Sequence, residues 1–531
     1  MTSRAAPNVL LIMVDQLAAA WLPAYGQPVV QAPNITALAR AGVTFEAAYC
    51  GSPLCAPSRS ALLTGRLPSA TEVYDNAAEL RASLPTVAHH LRAEGYATCL
   101  AGKMHFVGPD QLHGFEERVT TDVYPAGLDW TPDWRVGAGE RLPWYHTMES
   151  VLRPGVSVAS MQVDYDDEVA FHAVRTLYDL ARGGADPFFL TVSFSSPHDP
   201  WEIPARHWDR YDPAAIPLPA VPPIPFDEAD PHSRRLRAMY GVDDAQLTEE
   251  QVRRARHGYF AAISYVDERI GDVLGALREA GHEDDTIVVF TADHGEMLGE
   301  RGLWYKMAFF EEAARVPLIV RAPGRLAAGR RIASPVSQLD LAPTLVELCA
   351  GAAVDVDATC AGMDGTSLAP LLREDGERPG DVVAEYLAEG VTAPAVMVRR
   401  GPMKYIACPG DPEQLYDLAA DPRELHDLAA QDGATSRCAP FREAVAARWD
   451  LADIEARVLE SQRLRRQVVR ALGRGRHAAW DFQPHVDASM QYVRSRTDLY
   501  DLQRRARLDA RAPEGGGCAE GHPAGDRTER P

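Results

Sequence analysis

Two aspartates far apart in the chain, Asp15 and Asp293, each stand at the end of a short apolar run. Gln16 follows the first and His294 the second. Two carboxylates with an amide and an imidazole make a donor set for a hard divalent cation, because oxygen ligands dominate it. Alone, either aspartate would be an ordinary loop acid or a helix cap. A third segment, Cys55-Ala56-Pro57-Ser58-Arg59, carries a nucleophile type. Proline suits the first turn of a helix, so Cys55 is expected at a positive helix terminus that favours an anion, with the fork of Arg59 nearby. Lys103, His105, His198 and Lys306 complete the set of charged or titratable side chains in unusual positions.

Such residues can act together only if the fold gathers them. Short apolar runs at Val9–Val14, Ala97–Leu100, Phe188–Phe194 and Ile287–Phe290 read as strands. Asp15 follows the first, Lys103 and His105 the second, His198 the third, and Asp293 and His294 the fourth. Ligands of open α/β sheets bind outside the carboxyl ends of the strands, so these groups are expected to converge there. The first ~370 residues therefore predict an α/β fold, a large mostly parallel sheet sandwiched by helices. The Pro-rich stretch from Ile216 to Pro231 cannot be a central strand and is expected to be an excursion that walls the site.

The expected division is 1–372 for the catalytic domain, 373–440 for a smaller C-terminal antiparallel-sheet domain, and 441–531 for a helical tail. Runs at Val382–Val383, Ala395–Val398 and Lys404 to Cys408 supply the small sheet. The charged pattern from Phe441 to Leu472, with Trp449, Ile454, Val458 and Leu459 among its apolar positions, is a helical arm. From Ala512 onward the composition has almost nothing to bury and predicts disorder.

Composition excludes several classes. A chain of 531 residues with 46% hydrophobic content supports a large core. The net charge of −21 repels phosphate backbones and argues against nucleic acid. Val9–Val14 is too short for a signal-peptide core or a membrane span, so the protein reads as cytoplasmic with no membrane partner. The eight cysteines lack close pairing, which predicts no disulfide framework and no structural zinc.

The run from Cys55 to Arg59, continued by Ala61-Leu62-Leu63-Thr64-Gly65-Arg66, resembles the signature of the type I sulfatases. Gly102-Lys103-Met104-His105, Ser196-Pro197-His198, Trp304-Tyr305-Lys306 and Thr291-Ala292-Asp293-His294-Gly295-Glu296 resemble that family's other motifs. The resemblance implies an alkaline-phosphatase-like fold, a formylglycine made from Cys55, and a metal site of Asp15, Gln16, residue 55, Asp293 and His294. The metal is expected to be Ca2+, with Mg2+ or Mn2+ as alternatives. Some sulfatases have Asp where Gln16 stands and Asn where His294 stands. A sulfate monoester needs cations around its oxygens, a base and a proton source, and Arg59, Lys103, His105, His198 and Lys306 supply these types. By resemblance, the hydrated formylglycine attacks sulfur, His198 and Lys306 assist the departing oxygen, and His105 deprotonates the second hydroxyl to expel sulfate.

Longer runs narrow the family. The stretch from Gly102 to Trp134, the segments Ser196 to Pro200 and Gly299 to Lys306, and Trp480-Asp481-Phe482-Gln483-Pro484 resemble the choline-sulfatases. That resemblance implies choline sulfate as substrate, with Trp130, His146 and Glu385 recognising the cation. Asn76 is a candidate sulfate-facing amide or a turn residue. A formylglycine-generating system and a homo-oligomer, a tetramer or dimer with the C-terminal arm on a neighbouring subunit, are also implied. The alternatives are a broader arylsulfatase, a phosphonate or phosphodiester monoester hydrolase, and a choline-binding protein with unmodified Cys55.

Overall fold

A computed structural model describes residues 6–136, 146–183, 187–350, 354–476, 479–485, 489, 494 and 497–508. The expected disorder from Ala512 onward lies outside the described residues. A continuous apolar run suits a strand buried on both faces, and Asn8–Val14 (β1) is one. The other strands of the large sheet are Val43–Tyr49 (β2), Ala97–Gly102 (β3), Glu117–Arg118 (β4), Phe188–Ser193 (β5), Thr286–Ala292 (β6), Arg315–Arg321 (β7), Arg330–Ile332 (β8) and Val336–Ser337 (β9).

Their spatial order is β8-β2-β7-β6-β1-β5-β3-β4, with β9 also pairing β2. β1 runs parallel to β5 and β6, as β3 does to β5, so the four strands expected to end at the site are adjacent and point the same way. Only β7 runs against its neighbours, antiparallel to both β2 and β6. Helices Met161–Gly183 (α2) and Glu249–Glu279 (α3) pack on each other, while Cys55–Thr64 (α1) packs against Leu341–Cys349.

The small sheet has four antiparallel strands, Val382–Tyr386 (β10), Ala395–Arg400 (β11), Met403–Ala407 (β12) and Gln414–Asp417 (β13). Its first strand is tied to the large sheet's loops by a 3.0 Å bond from the Glu385 amide to the Gly51 carbonyl. The helical arm divides at Trp449 into Ala434–Arg448 (α4) and Leu451–Leu472 (α5). α5 buries Ile454 and Val458. It is pinned to its own chain by a buried pair, Arg465 with Asp75 at 2.6 and 2.7 Å.

The Pro-rich excursion does not wall the site. It packs on the loop at 300–301, where Glu300 accepts from the Ala220 and Val221 amides and the Arg301 amide donates to Val221. It therefore supports the segment leading to Lys306 from behind. The seven described cysteines are free thiols. Among the described residues no helix is long and apolar enough to cross a membrane.

Candidate active site

β1, β3, β5 and β6 end side by side and release Asp15, Lys103, the loop to His198, and Asp293 into one space. Backbone geometry fixes what may precede them. Gly102 has φ +106°, and a Cβ there would lie 2.0 Å from the Ser193 carbonyl oxygen, which explains a glycine before Lys103. Gln16, His105, Tyr305 and Met307 hold φ between 57° and 70° although none is glycine. Such strain concentrates where the surrounding structure imposes a particular side-chain direction.

Cys55 opens α1, with Leu54 outside the first turn and Pro57 inside it. Asn76 Oδ1 accepts from the Ala56 amide at 3.0 Å, so this side chain caps the helix start and leaves its NH2 end as the donor for a ligand. Arg59, one helical turn on, is fully buried. Its Nε donates to Asp293 Oδ2 and its Nη2 to Asp15 Oδ2, each at 2.8 Å, while Nη1 donates to the Lys103 carbonyl and the Ser193 hydroxyl. The fork expected to face an anion is thus spent mostly on holding two carboxylates in place.

Lys103 pairs with Asp15 as well, and its ammonium lies 4.2 Å over the Tyr124 ring. Burial pushes the Asp15 carboxyl up, but Lys103 and Arg59 outweigh it and hold the group well below the usual carboxylate range. Ligand atoms of Asp15, Cys55, Asp293 and His294 all lie within 4.8 Å of one another. His294 Nδ1 faces the Gly295 carbonyl at 3.0 Å and Nε2 stands 3.2 Å from Cys55 Sγ. A proton on Nδ1 leaves the Nε2 lone pair aimed at the cluster, the arrangement a metal-ligating imidazole needs. Burial also lowers the His294 pKa, which favours the neutral ring. Two carboxylates, balanced by two cations, and one imidazole therefore fit a divalent cation. Gln16 differs from expectation: its Oε1 is taken by Lys306, and its Nε2 donates to Glu296 at 2.5 Å.

A second group faces the cluster. Lys306 Nζ donates to Gln16, to His198 Nε2 at 2.9 Å and to His146 Nε2 at 3.2 Å. On the far side of the two rings, His198 Nδ1 lies 3.2 Å and His146 Nδ1 3.7 Å from the same oxygen of Asp199. Burial, with Lys306 beside them, lowers both imidazole pKa values. The rings are therefore neutral acceptors toward the lysine. His105 is buried, with neither ring nitrogen meeting a hydrogen-bond partner among the described residues, and its ring centroid is 5.0 Å from that of Tyr124.

These side chains open on a cavity of about 510 Å³ lined by Cys55, Asn76, Tyr124, Trp130, His146 and Lys306 among others. Trp130 meets Tyr124 edge-on with centroids 5.3 Å apart. Glu385 is a correction. It is wholly buried, accepting from the Ser69 amide and hydroxyl at 2.7 Å and from Trp449 Nε1 at 2.6 Å, and it is not among the cavity's lining residues. Its carboxylate joins β10 to the segment after α1 and to the end of α4. Tyr124 and Asp199 were not singled out from sequence. Asp199 stands beside His198, and Tyr124 lies inside the Gly102 to Trp134 run, so adjacency was the available signal.

Residues 7–352 match the family model described as Sulfatase. Residues 299–447 match N-sulphoglucosamine sulphohydrolase, C-terminal, and residues 456–508 match Choline sulfatase enzyme C terminal. The chain is 48% identical over 511 residues to a choline-sulfatase of Rhizobium meliloti, covering 94% of this chain and 98% of that one. It is 32% identical to iduronate 2-sulfatase of Mus musculus, over 60% of each. Among solved structures, phosphonate monoester hydrolase of Agrobacterium radiobacter superposes with TM-score 0.64 at 25% identity, covering 85% of this chain and 96% of that one. A Bacteroides thetaiotaomicron structure described as a putative sulfatase gives 0.64 at 26%, covering 83% and 92%. With Cys55, the paired carboxylates and the basic side chains gathered in one place, these matches place the chain in the sulfatase family, as a sulfuric ester hydrolase of alkaline-phosphatase-like fold.

Proposed function

We propose that this chain hydrolyses choline sulfate to choline and sulfate. The observation that carries the substrate is the cavity over Cys55, where Trp130 and Tyr124 stand edge to face and Glu149, Glu202 and Asp199 contribute carboxylates. A trimethylammonium group offers no hydrogen-bond donor, so aromatic faces and negative charge are what can select it. The similarity to the Rhizobium meliloti choline-sulfatase supports the same reading.

Asp15, Asp293, His294 and residue 55 would hold the divalent cation, calcium in keeping with the family, and it supplies positive charge that favours an ionised nucleophile. Cys55, oxidised to formylglycine and hydrated, supplies one hydroxyl to attack sulfur and a second whose deprotonation releases sulfate. Lys103 and the NH2 of Asn76 steady the sulfate oxygens. His105 has unoccupied ring nitrogens and takes the second hydroxyl's proton. Lys306, held between His198 and His146, gives a proton to the leaving oxygen.

The test is sulfate release from choline sulfate beside an uncharged aryl sulfate. Trp130→Ala is expected to lower hydrolysis of choline sulfate about three- to thirtyfold, the equivalent of the ~0.5–2 kcal/mol of a cation over an indole. The aryl sulfate should be little changed. Equal proportional losses on both substrates would overturn the choline reading.

Asp199→Asn separates another role. His198 Nδ1 meets the Asp199 backbone carbonyl at 2.7 Å, and the carboxylate, 3.2 and 3.7 Å from the two Nδ1 atoms, adds negative charge that favours protons there, so that both Nε2 atoms accept from Lys306. Its loss is expected to cost about tenfold or more in kcat on choline sulfate, part of the roughly 10²–10⁴ that a positioned acid supplies. An aryl sulfate with an activated phenol needs little protonation and should lose much less. A loss independent of leaving group would assign Asp199 a purely structural part.

A further inference from the structure

Past Lys103 the backbone that follows β3 leaves the sheet's ladder and turns sharply. Gly102, His105 and Gly108 hold φ of +106°, +57° and +95°. Three side chains take up the polar groups of this turn. Asp122 Oδ2 accepts from the Met104 and His105 amides, each at 2.9 Å. Arg118 Nη2 donates to the same oxygen at 2.7 Å, and its Nη1 donates to Gln111 Oε1 at 2.9 Å. Gln111 Nε2 in turn donates to the Phe106 and Gly108 carbonyls at 2.8 Å. Arg118 and Gln111 are buried, and the Asp122 side chain is 6% exposed.

Register explains why Asp122 stands there. β4 runs parallel to β3 with Cys99 opposite Glu117 and Leu100 opposite Arg118. The same spacing carried past the strand ends puts Asp122 opposite Met104, where its carboxylate replaces the missing strand as acceptor. Burial raises the Asp122 carboxyl pKa, but Arg118, then His105 and the two amides, outweigh it and bring the group down to about 2. His105 depends on this carboxylate for its direction. Neither ring nitrogen meets a hydrogen-bond partner among the described residues, so the ring is aimed by its backbone and by the rings of Tyr124 and Trp130, with centroids 5.0 and 6.0 Å away. A residue other than glycine keeps a left-handed φ where its surroundings impose one, and Asp122 is what bonds the His105 amide. Asp122 Oδ1 also accepts from the Tyr124 amide at 3.2 Å, which joins one of those rings to the same anchor.

We infer that Asp122 is a positioning residue for His105, its carboxylate fixing the turn that aims the imidazole. This rests on the reading above, in which His105 takes the proton of the second hydroxyl. In that step sulfate departs with the electron pair of its bond to residue 55, and the proton of the remaining hydroxyl passes to His105. A carboxylate facing the ring favours the positive charge that results.

An uncharged aryl sulfate separates the two half-reactions, because phenol leaves in the first and sulfate in the second. Asp122→Ala should release its first equivalent of phenol at close to the parental rate and then turn over about 10- to 100-fold more slowly, the scale set by misplacing a reacting group. Asp122→Asn, which keeps an acceptor oxygen without the charge, should show the same burst with a smaller loss, and reads the effect should the alanine variant not fold. His105→Ala should also show the burst. Added to His105→Ala, either substitution at 122 should cost less than about a further twofold, since a residue that acts through another couples fully to it. In unconverted protein that retains Cys55, hydrogen exchange of the Met104 and His105 amides should quicken about tenfold or more in Asp122→Ala while the amides of β3 stay protected. Equal losses in both half-reactions, a further tenfold loss in the His105→Ala background, or unchanged amide exchange would each overturn the inference. A missing burst in His105→Ala itself would instead remove His105 as the base, and the amide exchange then decides whether Asp122 holds the turn.

Discussion

Cys55→Ala is expected to lower sulfate release about 10⁴-fold or more, because covalent catalysis without its nucleophile retains only binding and electrostatic help. The fold should survive. Cys55 Sγ touches His294 and Asp15 rather than the apolar core, alanine is a good helix former, and the helix start is capped independently by Asn76 on the Ala56 amide. Serine at this position would offer one hydroxyl where two are needed, so it is expected to stop after at most a single transfer. Sulfate release by the purified variant, with circular dichroism alongside, decides the matter. Turnover comparable to the parent by a folded Cys55→Ala protein would remove residue 55 from the chemistry.

The parts of this site that were legible in the sequence are those marked by local contrast. Val9–Val14 and Ile287–Phe290 are apolar runs broken by Asp15 and Asp293, and strands buried on both faces leave that trace wherever a ligand site follows them. Residue type was legible where partnership was not. Arg59 could be read as a cation near Cys55, but its capture by Asp15 and Asp293 depends on two strands that meet only in the fold. Glu385 shows the same limit from the other side. Ser69 and Trp449, which occupy its oxygens, are distant in sequence, so nothing nearby signalled that the carboxylate was already committed. The single reversed strand, Arg315–Arg321, was equally silent, because an apolar run carries no mark of direction. The fourth strand of the small sheet, Gln414–Asp417, has too few residues to show a period.

Asp15→Asn should strike metal binding and stability together. The carboxylate faces Arg59 and Lys103 at once, and all three side chains are fully buried. Neutralising it leaves two interior cations sharing Asp293, and breaking a buried pair in this way costs about 3–5 kcal/mol. The cation loses one of its two carboxylates in the same step. Elemental analysis should find well under one metal ion per chain, and the denaturant midpoint should fall. The pH dependence follows from the same contacts. Asp15 has its folded pKa held below the unfolded value of about 4, so its contribution is fully present above that pH and is lost as the pH falls through the folded value. The parent should therefore lose stability in acid more steeply than Asp15→Asn, which has no such group to protonate. Full metal content with parental stability in the variant would refute the arrangement.

If Cys55 is converted to formylglycine as proposed above, its 1% exposure sets an order of events during biosynthesis. A small ester reaches this side chain through the cavity, but another protein's catalytic groups cannot, since α1 is packed between sheet loops and neighbouring helices along its whole length. On that reading an oxidising enzyme meets the segment while it is still extended, before β6 has delivered His294 and Asp293 to close over it. Folding and maturation compete for the same few residues. A chain that folds first would lock its thiol away, so the active fraction of a preparation would record how quickly the nascent protein was intercepted.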